Sequence, residues 1–571
     1  MSQSSAGTGL VSSGSSVTNS LAQSPTEAGE FPVKTYYVDS VAGDDENPGT
    51  KERPWKTLDK VNNTAFNPGD RVLLRRNRVW RGTLVVSSSG TAESPILFGA
   101  YGAGRAPLIM RTEKFSNWKK YRSFVTDRGV SVIWTGRLPG VRNSFGAVKG
   151  DKRVYKHNQW EKIQLGDMQE GAFYFPLNSG YFYYRSDDGD PGALEIGVRP
   201  QAILIDGKSN IIVDAIDVWG PGGIEGRQRT TGHAIIQIQG NSSNVVIRNL
   251  EISHGNSFGI RSTSRTRNVK YLNLAVHDNA STGIYMNSLG GEIGYCRSYS
   301  NGLIESDRGD RGGIGILRGG NIRIHHNEVF GNGRSNDSAD FEIGIVQARK
   351  PVFVDRNYIH DCIQGCVQIA EGGDNSTIAY NIISGFGSSS GKPSSPGVWS
   401  GIRIGGGASG AKNIKVYNNI IHGGESLPTD THAGLYFAWF DESGAKVANN
   451  IFFNNRGKDI SVRKKAIMER VKIMNNLFYK ANAEPLWNWR GVDIRSLADW
   501  KRRSGMGQNS IVADPLFKNS SGQFVQAEDY ILATGSPAID RGVDVGMLED
   551  YLGRPVPKGA TPDIGAFEVI R

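Results

Sequence analysis

A short Asn-containing unit recurs through the middle of the chain, and this repeat constrains the fold more than any other feature. In each copy, an Asn follows a short strand of alternating residues and precedes another such strand, as in NIRIHHNEVF. The repeated positions are Asn249, Asn273, Asn327, Asn357, Asn381, Asn419, Asn450 and Asn476. The interval is 24 residues from 249 to 273 and again from 357 to 381, and it is longer elsewhere. Such a unit holds three short strands and three turns, too little to bury a face alone.

Stacking of these units predicts an all-β solenoid in which each unit forms one coil and the longer intervals hold loops. An Asn at a fixed turn tolerates the left-handed conformation, and its amide can bond to the Asn of the next coil. The coils lack 3.6-residue periodicity, which excludes a helical solenoid. Gly accounts for 73 of 571 residues, nearly twice the average of about 7%, as expected for many tight turns.

The remaining sequence divides around these coils. An amphipathic helix is predicted soon after the first strand, where it would cover the open end of the stack. The aromatic-rich stretch FYFPLNSGYFYYRSDDGDPGALEIGV predicts antiparallel hairpins that interrupt the repeat. The predicted regions are a flexible Ser/Gly-rich leader (1–30), the N-terminal cap and first coils (31–110), an inserted β-rich domain (111–200), the β-helix coils (201–484), and the C-terminal coils and cap (485–571).

The net charge of +10 and the pI of about 9.3 suit an anionic partner, although a charge that only aids solubility explains them equally well. No Lys/Arg block with interleaved aromatic residues is present, so a nucleic-acid partner is not predicted. Cys296, Cys362 and Cys366 are too few for a disulfide framework and lack zinc-site spacing. No apolar run of membrane-spanning length exists. The leader lacks signal-peptide features, and it is either a stalk left after removal of an export signal or a cytoplasmic start.

Several segments together resemble the secreted right-handed parallel β-helix proteins of the pectate-lyase-like superfamily. These are YYVDSVAGDDENPGT, PWKTLDKVN and GDRVLLRRNRVWRGTL near the start, the N-I-x-x-N/G coils, and DPLF, GSPAIDRG and DIGAFE near the end. The resemblance implies a right-handed parallel β-helix, a secreted or cell-surface location and a polysaccharide partner. That superfamily includes lyases, glycosidases, epimerases, and non-catalytic adhesins or phage spikes.

One stretch, GLYFAWFDESGAKVANNIFFNNRGKDISVRKKA, is similar to β-helical xylosidases, in which two carboxylates carry out a retaining hydrolysis. The two carboxylate positions fall at Ala438 and Arg463 in this chain. Neither side chain can act as nucleophile or general acid, so the resemblance implies a different mechanism here.

Strands of the form G-I-x-I-x place Ile inside and the alternate residues outside. The predicted outward column is Arg261, Tyr285, Gly315, Gly344, Gln368, Arg403, Tyr436 and Ser461. Its two glycines leave the backbone uncovered and predict the floor of a cleft.

Two chemistries fit residues near this column. In β-elimination from a uronate, Arg403 and Arg463 would neutralise the carboxylate while Tyr436 transfers protons. Hydrolysis needs two carboxyls, either about 5 Å apart or about 6.5–9.5 Å apart. The candidate pairs are Glu371 with Asp441, and Glu342 with Asp340. Solvation of the surface is the competing explanation for each of these charged residues.

Substrate binding is assigned to polar and aromatic residues along the same face, since aromatic rings suit stacking on sugars. The residues are Tyr285, Gln368, Arg318, Arg349, Trp399 and Trp439. No cofactor is predicted, apart from a weak calcium candidate in ESDRGDRGG (305–313), where alternating Arg opposes cation binding. The sequence therefore predicts an extracellular polysaccharide-degrading enzyme, with a lyase on a uronate-containing glycan ahead of a glycoside hydrolase. A non-catalytic adhesin or spike is the third alternative, and the sugar and the oligomeric state are left open.

Overall fold

Three long sheets carry most of the chain in the computed structural model, and each has 13 strands. Successive strands of a coil belong to sheet 1, sheet 2 and sheet 3 in turn, and each pairs in parallel with the equivalent strand of the next coil. The structure describes residues 32–569 apart from 127–128, 140, 142–145, 150–151, 157–167, 169, 177–178, 221–223, 226–233, 256, 303–311, 334–340, 388–398, 407–409, 424–432 and 439–440. The predicted all-β parallel β-helix is confirmed.

The strands of each sheet are short, as expected for coils that turn three times. Sheet 1 contains Thr35–Val38, Arg71–Arg75, Ile96–Tyr101, Ile211–Asp214, Ser243–Arg248, Arg267–Leu272, Leu289–Gly294, Gly320–His325, Val352–Asp355, Thr377–Ala379, Lys415–Tyr417, Lys446–Ala448 and Lys472–Met474. Sheet 2 contains Val79–Arg81, Leu108–Met110, Asp217–Trp219, Glu251–Ser253, Ala275–His277, Arg297–Tyr299, Glu328–Phe330, Tyr358–His360, Ile382–Phe386, Ile420–Gly423, Ile451–Phe453, Leu477–Tyr479 and Ile511–Val512. Sheet 3 contains Leu84–Val85, Ile203–Asp206, Ala234–Gln239, Phe258–Ser262, Ile284–Met286, Ile314–Leu317, Phe341–Val346, Gly365–Ala370, Ser400–Ile404, Ala433–Phe437, Lys458–Val462, Trp487–Trp489 and the antiparallel Val492–Ile494.

The repeated Asn residues form two ladders, offset by one residue, at the corner between sheet 1 and sheet 2. Asn249 and Asn273 occupy the left-handed corner position, with φ values of 61° and 52°, and their side chains bond to each other at 2.8 Å. From Asn327 onward, the Asn lies one residue later and points inside. The predicted Asn ladder is therefore present. The sequence places every Asn at the same turn position, which is correct for Asn249 and Asn273 and wrong by one residue from Asn327 onward.

The inner ladder satisfies buried backbone groups that a side chain of another type would leave unpaired. Asn381 Oδ1 accepts from both the backbone and the side-chain nitrogen of Asn357, and Asn381 Nδ2 donates to Asn419 Oδ1 at 3.0 Å. The same pattern continues through Asn450 and Asn476. Because each buried donor and acceptor finds a partner, the corner avoids the penalty of about 1–3 kcal/mol for an unsatisfied buried group.

The predicted capping helix and insertion are both present. Helix α1, Leu58–Asn62, is capped by Thr57, and Leu58 and Val61 join the apolar cluster that fills the coils. The strands of the insertion are Thr112–Phe115, Lys119–Thr126, Gly129–Arg137, Gly146–Lys149, Lys152–Lys156, Ala172–Tyr174, Tyr181–Arg185 and Leu194–Gly197. They pair antiparallel, except that Lys152–Lys156 pairs in parallel with Ala172–Tyr174 and with the short strand Ile224–Glu225.

The C-terminal residues both close the stack and pack on its outside. Trp487 lies in the last sheet-3 coil, and Trp500 of helix α2 (Leu497–Ser504) stacks near it at 6.3 Å. Beyond Ile511–Val512, the chain contains a 3-10 turn, Ala527–Tyr530. Its Tyr530, with Phe567 further along, packs on outward-facing apolar residues of sheet 2. This external packing goes beyond the terminal cap that the sequence predicts.

Two further features complete the described structure. Cys362 and Cys366 form a disulfide, whereas Cys296 is a buried free thiol. The sequence gives no signal for this short-range bond, because spacing alone does not reveal that both thiols face one corner.

Within the described ranges, no helix is long and apolar enough to cross a membrane.

Candidate functional site

The outward column of sheet 3 has the register that the alternation of Ile residues predicts. Strand pairing aligns these residues coil by coil, in the order Arg261, Tyr285, Gly315, Gly344, Gln368, Arg403, Tyr436 and Ser461. Inward neighbours such as Ile369 and Ile404 are fully buried. A one-residue slip would exchange the two faces, so burial of the Ile residues fixes which side chains line the outer surface.

The two glycines of the column differ in what lies above them. A Cβ at Gly315 would lie 2.9 Å from the Tyr285 ring, so this ring covers Gly315. A Cβ at Gly344 would meet no atom of the described residues within 4 Å. Of the two glycines, Gly344 is therefore the one that the described residues leave uncovered.

Arg403, Tyr436 and Arg463 lie together on consecutive coils near the C-terminal end of this column. Arg403 pairs in register with Tyr436, and the backbone of Arg463 bonds to the oxygen of Phe437, the residue after Tyr436. The Tyr436 hydroxyl accepts a hydrogen bond from the Arg463 guanidinium. Arg403 and Tyr436 are only 7% and 6% exposed, respectively. The structure therefore brings together the three residues that the elimination hypothesis selects.

Arg403 is a buried cation without a carboxylate partner in the described part of the chain. Burial lowers the pKa of Arg403, and the positive charge of Arg463 lowers it further, while Tyr436 acts in the opposite direction. Its Nε has no hydrogen-bond partner among the described residues. A buried charge costs several kcal/mol unless it is paired, so Arg403 carries a desolvation cost that no described carboxylate offsets.

Tyr436 keeps its proton at neutral pH. Burial raises the pKa of its hydroxyl, and the positive charges of Arg463 and Arg403 only partly oppose that effect. A protonated phenol donates hydrogen bonds and can act as an acid, but it cannot abstract a proton.

Glu442 is the buried carboxylate beside this cluster, and the sequence arguments assign it no role. It is 0% exposed, and a Cβ at Gly405 would lie 2.1 Å from its Oε1. Its charge also acts on Tyr436. Gly405 has a φ of +84° and Gly406 a φ of +123°, so two adjacent glycines let the chain turn closely around the carboxylate. The double glycine in RIGGG is the signal that could identify this site.

Glu371 and Asp441 lie beyond the C-terminal ends of two sheet-3 strands that are two coils apart. Glu371 follows the sheet-3 strand before Arg403 and accepts a hydrogen bond from Gln347 at 2.7 Å. Asp441 lies against the backbone of Gly410 and pairs with Lys412 at 2.7 Å. Hydrogen bonds from Lys412 and Ser443 lower the pKa of Asp441 to about 2, so it is ionised at neutral pH. Both carboxylates of this candidate pair are partly accessible.

Glu342 does not line the outer surface. It is 1% exposed, and its carboxylate accepts from the backbone and the amide of Asn332. Asn332 is the last member of a second buried ladder that begins at Asn279 and Asn301. This placement gives Glu342 a structural environment, and its proposed partner Asp340 lies outside the described residues.

Of the predicted binding residues, some are accessible, some are buried, and one lies outside the described residues. Arg318 donates to Gln347 at 2.9 Å, and Gln347 donates to Glu371, which makes a polar ladder along the edge of sheet 3. Arg349 is exposed nearby. Tyr285, Gln368 and Trp399 are 4%, 9% and 4% exposed, so Tyr285 and Trp399 present little ring surface. Trp439 lies outside the described residues.

The positions equivalent to the xylosidase carboxylates also lie at this site. Ala438 is fully buried, and its backbone bonds to Ile404, two residues before Gly406. Arg463 contacts Tyr436, as described above. A cation therefore stands where the resemblance places an anion.

No group of three or more metal-ligating side chains is found in the ranges that the structure describes. Most of the calcium candidate (305–313) lies outside those ranges, because residues 303–311 are not described.

Comparisons with known proteins agree with the architecture. The chain is 38% identical over 122 residues to a lacto-N-biosidase of Bifidobacterium longum subsp. longum, a match that covers 19% of this chain and 8% of that protein. A solved structure of XylC in complex with xylose aligns with a TM-score of 0.60 and 12% identity, covering 94% of this chain and 98% of XylC. A lacto-N-biosidase structure from Eubacterium ramulus aligns at 16% identity and a TM-score of 0.35, over 84% of this chain and 67% of that one.

No family model matches the sequence. The similarity to XylC extends over nearly the whole of both chains, and at 12% identity it concerns the fold. Together with the three parallel sheets, it shows that the chain has the right-handed parallel β-helix fold.

Proposed function

We propose that this protein is a carbohydrate-active enzyme that hydrolyses glycosidic bonds in a glycan bound along sheet 3, and that Arg403 recognises an acidic group of that glycan. The observation that carries the proposal is the buried guanidinium of Arg403, which has no carboxylate partner among the described residues. A carboxylate or sulfate on the substrate would supply the missing charge. Arg is suited to this role because its planar fork donates two parallel hydrogen bonds to such a group.

Hydrolysis is favoured over elimination for two reasons. The local sequence match is to a lacto-N-biosidase, and the XylC structure contains xylose, which makes glycosidase chemistry the nearer analogy. In addition, the raised pKa of Tyr436 leaves it protonated, whereas elimination at this position would require Tyr436 to remove a proton from the sugar.

Glu371 and Asp441 are the proposed acid and base. They stand two coils apart, and coils are spaced by about 4.8 Å, so their backbones are separated by about 9.6 Å. Carboxyls that invert the anomeric centre lie about 6.5–9.5 Å apart, a separation that the side chains of two backbones at this spacing can reach. Asp441 is ionised at neutral pH because Lys412 holds its pKa near 2, so it has the charge state that a base requires, and loosening of its pair with Lys412 would strengthen it as a base. Tyr436 and Arg463 would orient the sugar between the two carboxylates.

Elimination from a uronate is the second candidate, and the paired arginines favour it. Arg403 and Arg463 both lie beside Tyr436, and two cations around a sugar carboxylate would lower the cost of removing its α-proton. This alternative needs another base, since Tyr436 keeps its proton.

A panel of acidic and neutral polysaccharides tests the proposal. Hydrolysis produces new reducing ends without the ultraviolet absorbance of a carbon–carbon double bond, whereas elimination produces both. We expect reducing ends without that absorbance, from acidic glycans only. Glu371→Gln and Asp441→Asn should each abolish cleavage, and Lys415→Gln, a change on the outer face of sheet 1, is the matched control. Double-bond absorbance would replace hydrolysis by elimination, and binding without cleavage would leave a glycan-binding protein.

We also propose that the protein acts outside the cell. The Cys362–Cys366 disulfide supports this location, because disulfides persist in oxidising compartments and are rare in the cytosol. Mass spectrometry of the native protein, alkylated before and after reduction, should find the bond formed and the protein in the extracellular or cell-surface fraction. Recovery from the cytosol with both thiols reduced would contradict this proposal.

A further inference from the structure

Gly344 differs from every other glycine whose surroundings the structure describes. The remaining glycines either have a positive φ, which only glycine adopts readily, or have heavy atoms within 4 Å of the position a Cβ would take. Gly344 has neither constraint, because its φ is not positive and a Cβ there would meet nothing within 4 Å. The described residues therefore leave room for a Cβ at Gly344, and the absence of a side chain there leaves a space on the outer face of sheet 3 that no described atom fills.

The next glycine in the column shows the contrast. Gly315 pairs directly with Gly344, but the Tyr285 ring lies over it and would be only 2.9 Å from a Cβ. On the other side, Gln368 pairs with Gly344 and precedes Arg403 by one coil. The open space is thus bounded along the column by the Tyr285 ring and by the Gln368 side chain.

The floor of this space is apolar and its rim is polar. Leu317 and Val346 pair with each other one step beyond the two glycines, and both are half-buried. At the sheet edge beyond them, the Gln347 amide bonds to Glu371. A pyranose ring has an apolar face and a periphery of hydroxyls, so it matches an apolar floor with amides and a carboxylate around it.

We infer that the space above Gly344 is a subsite for one uncharged sugar ring of the substrate. The inference rests on the proposed function and deepens it. Arg403 lies two coils away, about 9.6 Å along the sheet, so the glycan would place an uncharged residue over Gly344 and an acidic one at Arg403. The Gln368 amide, between the two positions, would bond to hydroxyls of the uncharged ring. The substrate class is therefore a heteroglycan in which acidic and uncharged sugars occur in one chain.

A size series at Gly344 tests the subsite. Gly344→Ala adds one methyl group, and Gly344→Phe fills the space. We expect thermal midpoints close to that of the unmodified protein for both, because a Cβ at Gly344 meets no described atom within 4 Å and requires no positive φ, and because a larger side chain would extend outward from sheet 3. Gly344→Phe should weaken binding of a mixed acidic and uncharged heteroglycan at least tenfold, and Gly344→Ala should weaken it about two- to threefold. Ile212→Phe, which enlarges a half-buried residue on the outer face of sheet 1, is the matched control and should change neither quantity.

The outcomes separate this inference from the proposed function. Cleavage by the unmodified protein with an unchanged kcat/KM for Gly344→Phe would overturn the subsite and leave the hydrolase proposal standing. Binding without cleavage, lost in Gly344→Phe, would support the subsite and overturn the hydrolase. Equal weakening of purely acidic homopolymers and mixed heteroglycans by Gly344→Phe would overturn the assignment of an uncharged ring. Failure of the unmodified protein to bind any glycan of the panel would overturn both proposals.

Discussion

The outer faces of sheet 1 and sheet 3 have the same geometry, but their charged residues have different surroundings. On sheet 1, Arg323 makes two hydrogen bonds to Asp355, at 2.9 and 2.7 Å, and Lys270 pairs with Glu292 at 2.8 Å. On sheet 3, Arg403 is more deeply buried than either cation and has no carboxylate partner in the described residues. These two cations of sheet 1 are matched within the protein, whereas the partner proposed for Arg403 is an acidic group of the glycan. On this proposal, the two pairs mark a structural face and Arg403 marks a binding face.

Sheet 2 shows that conspicuous motifs can belong to a structural face. His277, Tyr299, Phe330 and His360 stack on successive coils with centroid distances of 4.7–5.1 Å. The adjacent Asp278 and Asp361 each hydrogen-bond the preceding His and occupy the left-handed corner, with φ values of 52° and 49°. The His-Asp pairs resemble a catalytic base with its orienting acid, but the same ring position holds Tyr and Phe on the coils between. The repeated turn accounts for both pairs.

The largest expected effect concerns the Arg323–Asp355 ion pair on the outer face of sheet 1. Arg323→Ala leaves the fully buried Asp355 without its bidentate partner. We expect the free energy of unfolding to fall by about 2–3 kcal/mol, less than for a wholly buried pair because Arg323 itself is half-exposed. Urea denaturation measures this change. Arg297→Ala is the control, since its partner Glu328 is 34% exposed, and it should cost less than about 1 kcal/mol. Equal losses for the two variants would remove the distinction between buried and exposed pairs.

The second prediction concerns the unmatched charge. Arg403→Met removes a buried cation and keeps an apolar side chain of similar length, so the free energy of unfolding should stay constant or increase. Activity on an acidic glycan should fall at least tenfold, which corresponds to about 1.4 kcal/mol of transition-state stabilisation. Paired measurements of urea unfolding and kcat/KM test both parts. A destabilised variant with normal kcat/KM would place Arg403 on the structural side of the comparison.

Much of the sheet-3 face is predictable from sequence because it depends on local alternation. Ile residues at every second position fix the inside, and the outward column from Arg261 to Ser461 follows directly. The three residues Arg403, Tyr436 and Arg463 then meet because coils are stacked without a shift. The alternation of inward and outward residues is thus sufficient to predict the register of the sheet-3 strands.

Other features depend on contacts that periodicity does not encode. Asp441 and Glu442 are adjacent carboxylates, yet the turn directs one to Lys412 and buries the other beside Gly405. Alternation does not apply within such a turn, so composition cannot tell which one is buried. The packing of Tyr530 on sheet 2 joins residues more than 100 positions apart, as its bond with His422 illustrates. Only the three-dimensional structure reveals contacts of that range.

The third prediction is a pH dependence that originates on sheet 2. Burial by itself would lower the pKa of His360, but the hydrogen bonds that its ring donates to the carboxylates of Asp361 and Glu328 raise the pKa to about 9. The unfolded value is about 6.5. Stability from this group is therefore complete below about pH 6.5 and is lost as the pH rises through about 9. Because its partners are partly exposed, we expect a loss of roughly 1–2 kcal/mol.

Urea unfolding of the unmodified protein and of His360→Gln near pH 6 and pH 10 measures the His360 contribution. The difference between the two proteins should shrink at the higher pH, because His360 is then neutral in both the folded and unfolded states. Tyr299→Phe is a control that keeps a ring in the stack and leaves the His360 ion pairs intact. A difference that grows with pH would show that His360 is not a protonated partner of Asp361.

The smallest expected effect concerns the exposed Lys270–Glu292 ion pair on the outer face of sheet 1. Lys270 and Glu292 are 41% and 27% exposed, so water and salt screen their attraction, and Glu292 retains a bond to His325 when Lys270 is removed. Lys270→Met should therefore cost no more than about 0.5 kcal/mol, and the cost should vanish near 1 M salt. Urea unfolding at low and high salt measures both quantities. A salt-independent loss as large as that of Arg323→Ala would mean that pairing itself, rather than burial of the carboxylate, stabilises sheet 1. In that case the missing carboxylate partner of Arg403, and not its burial, would be the property that distinguishes sheet 3 from sheet 1.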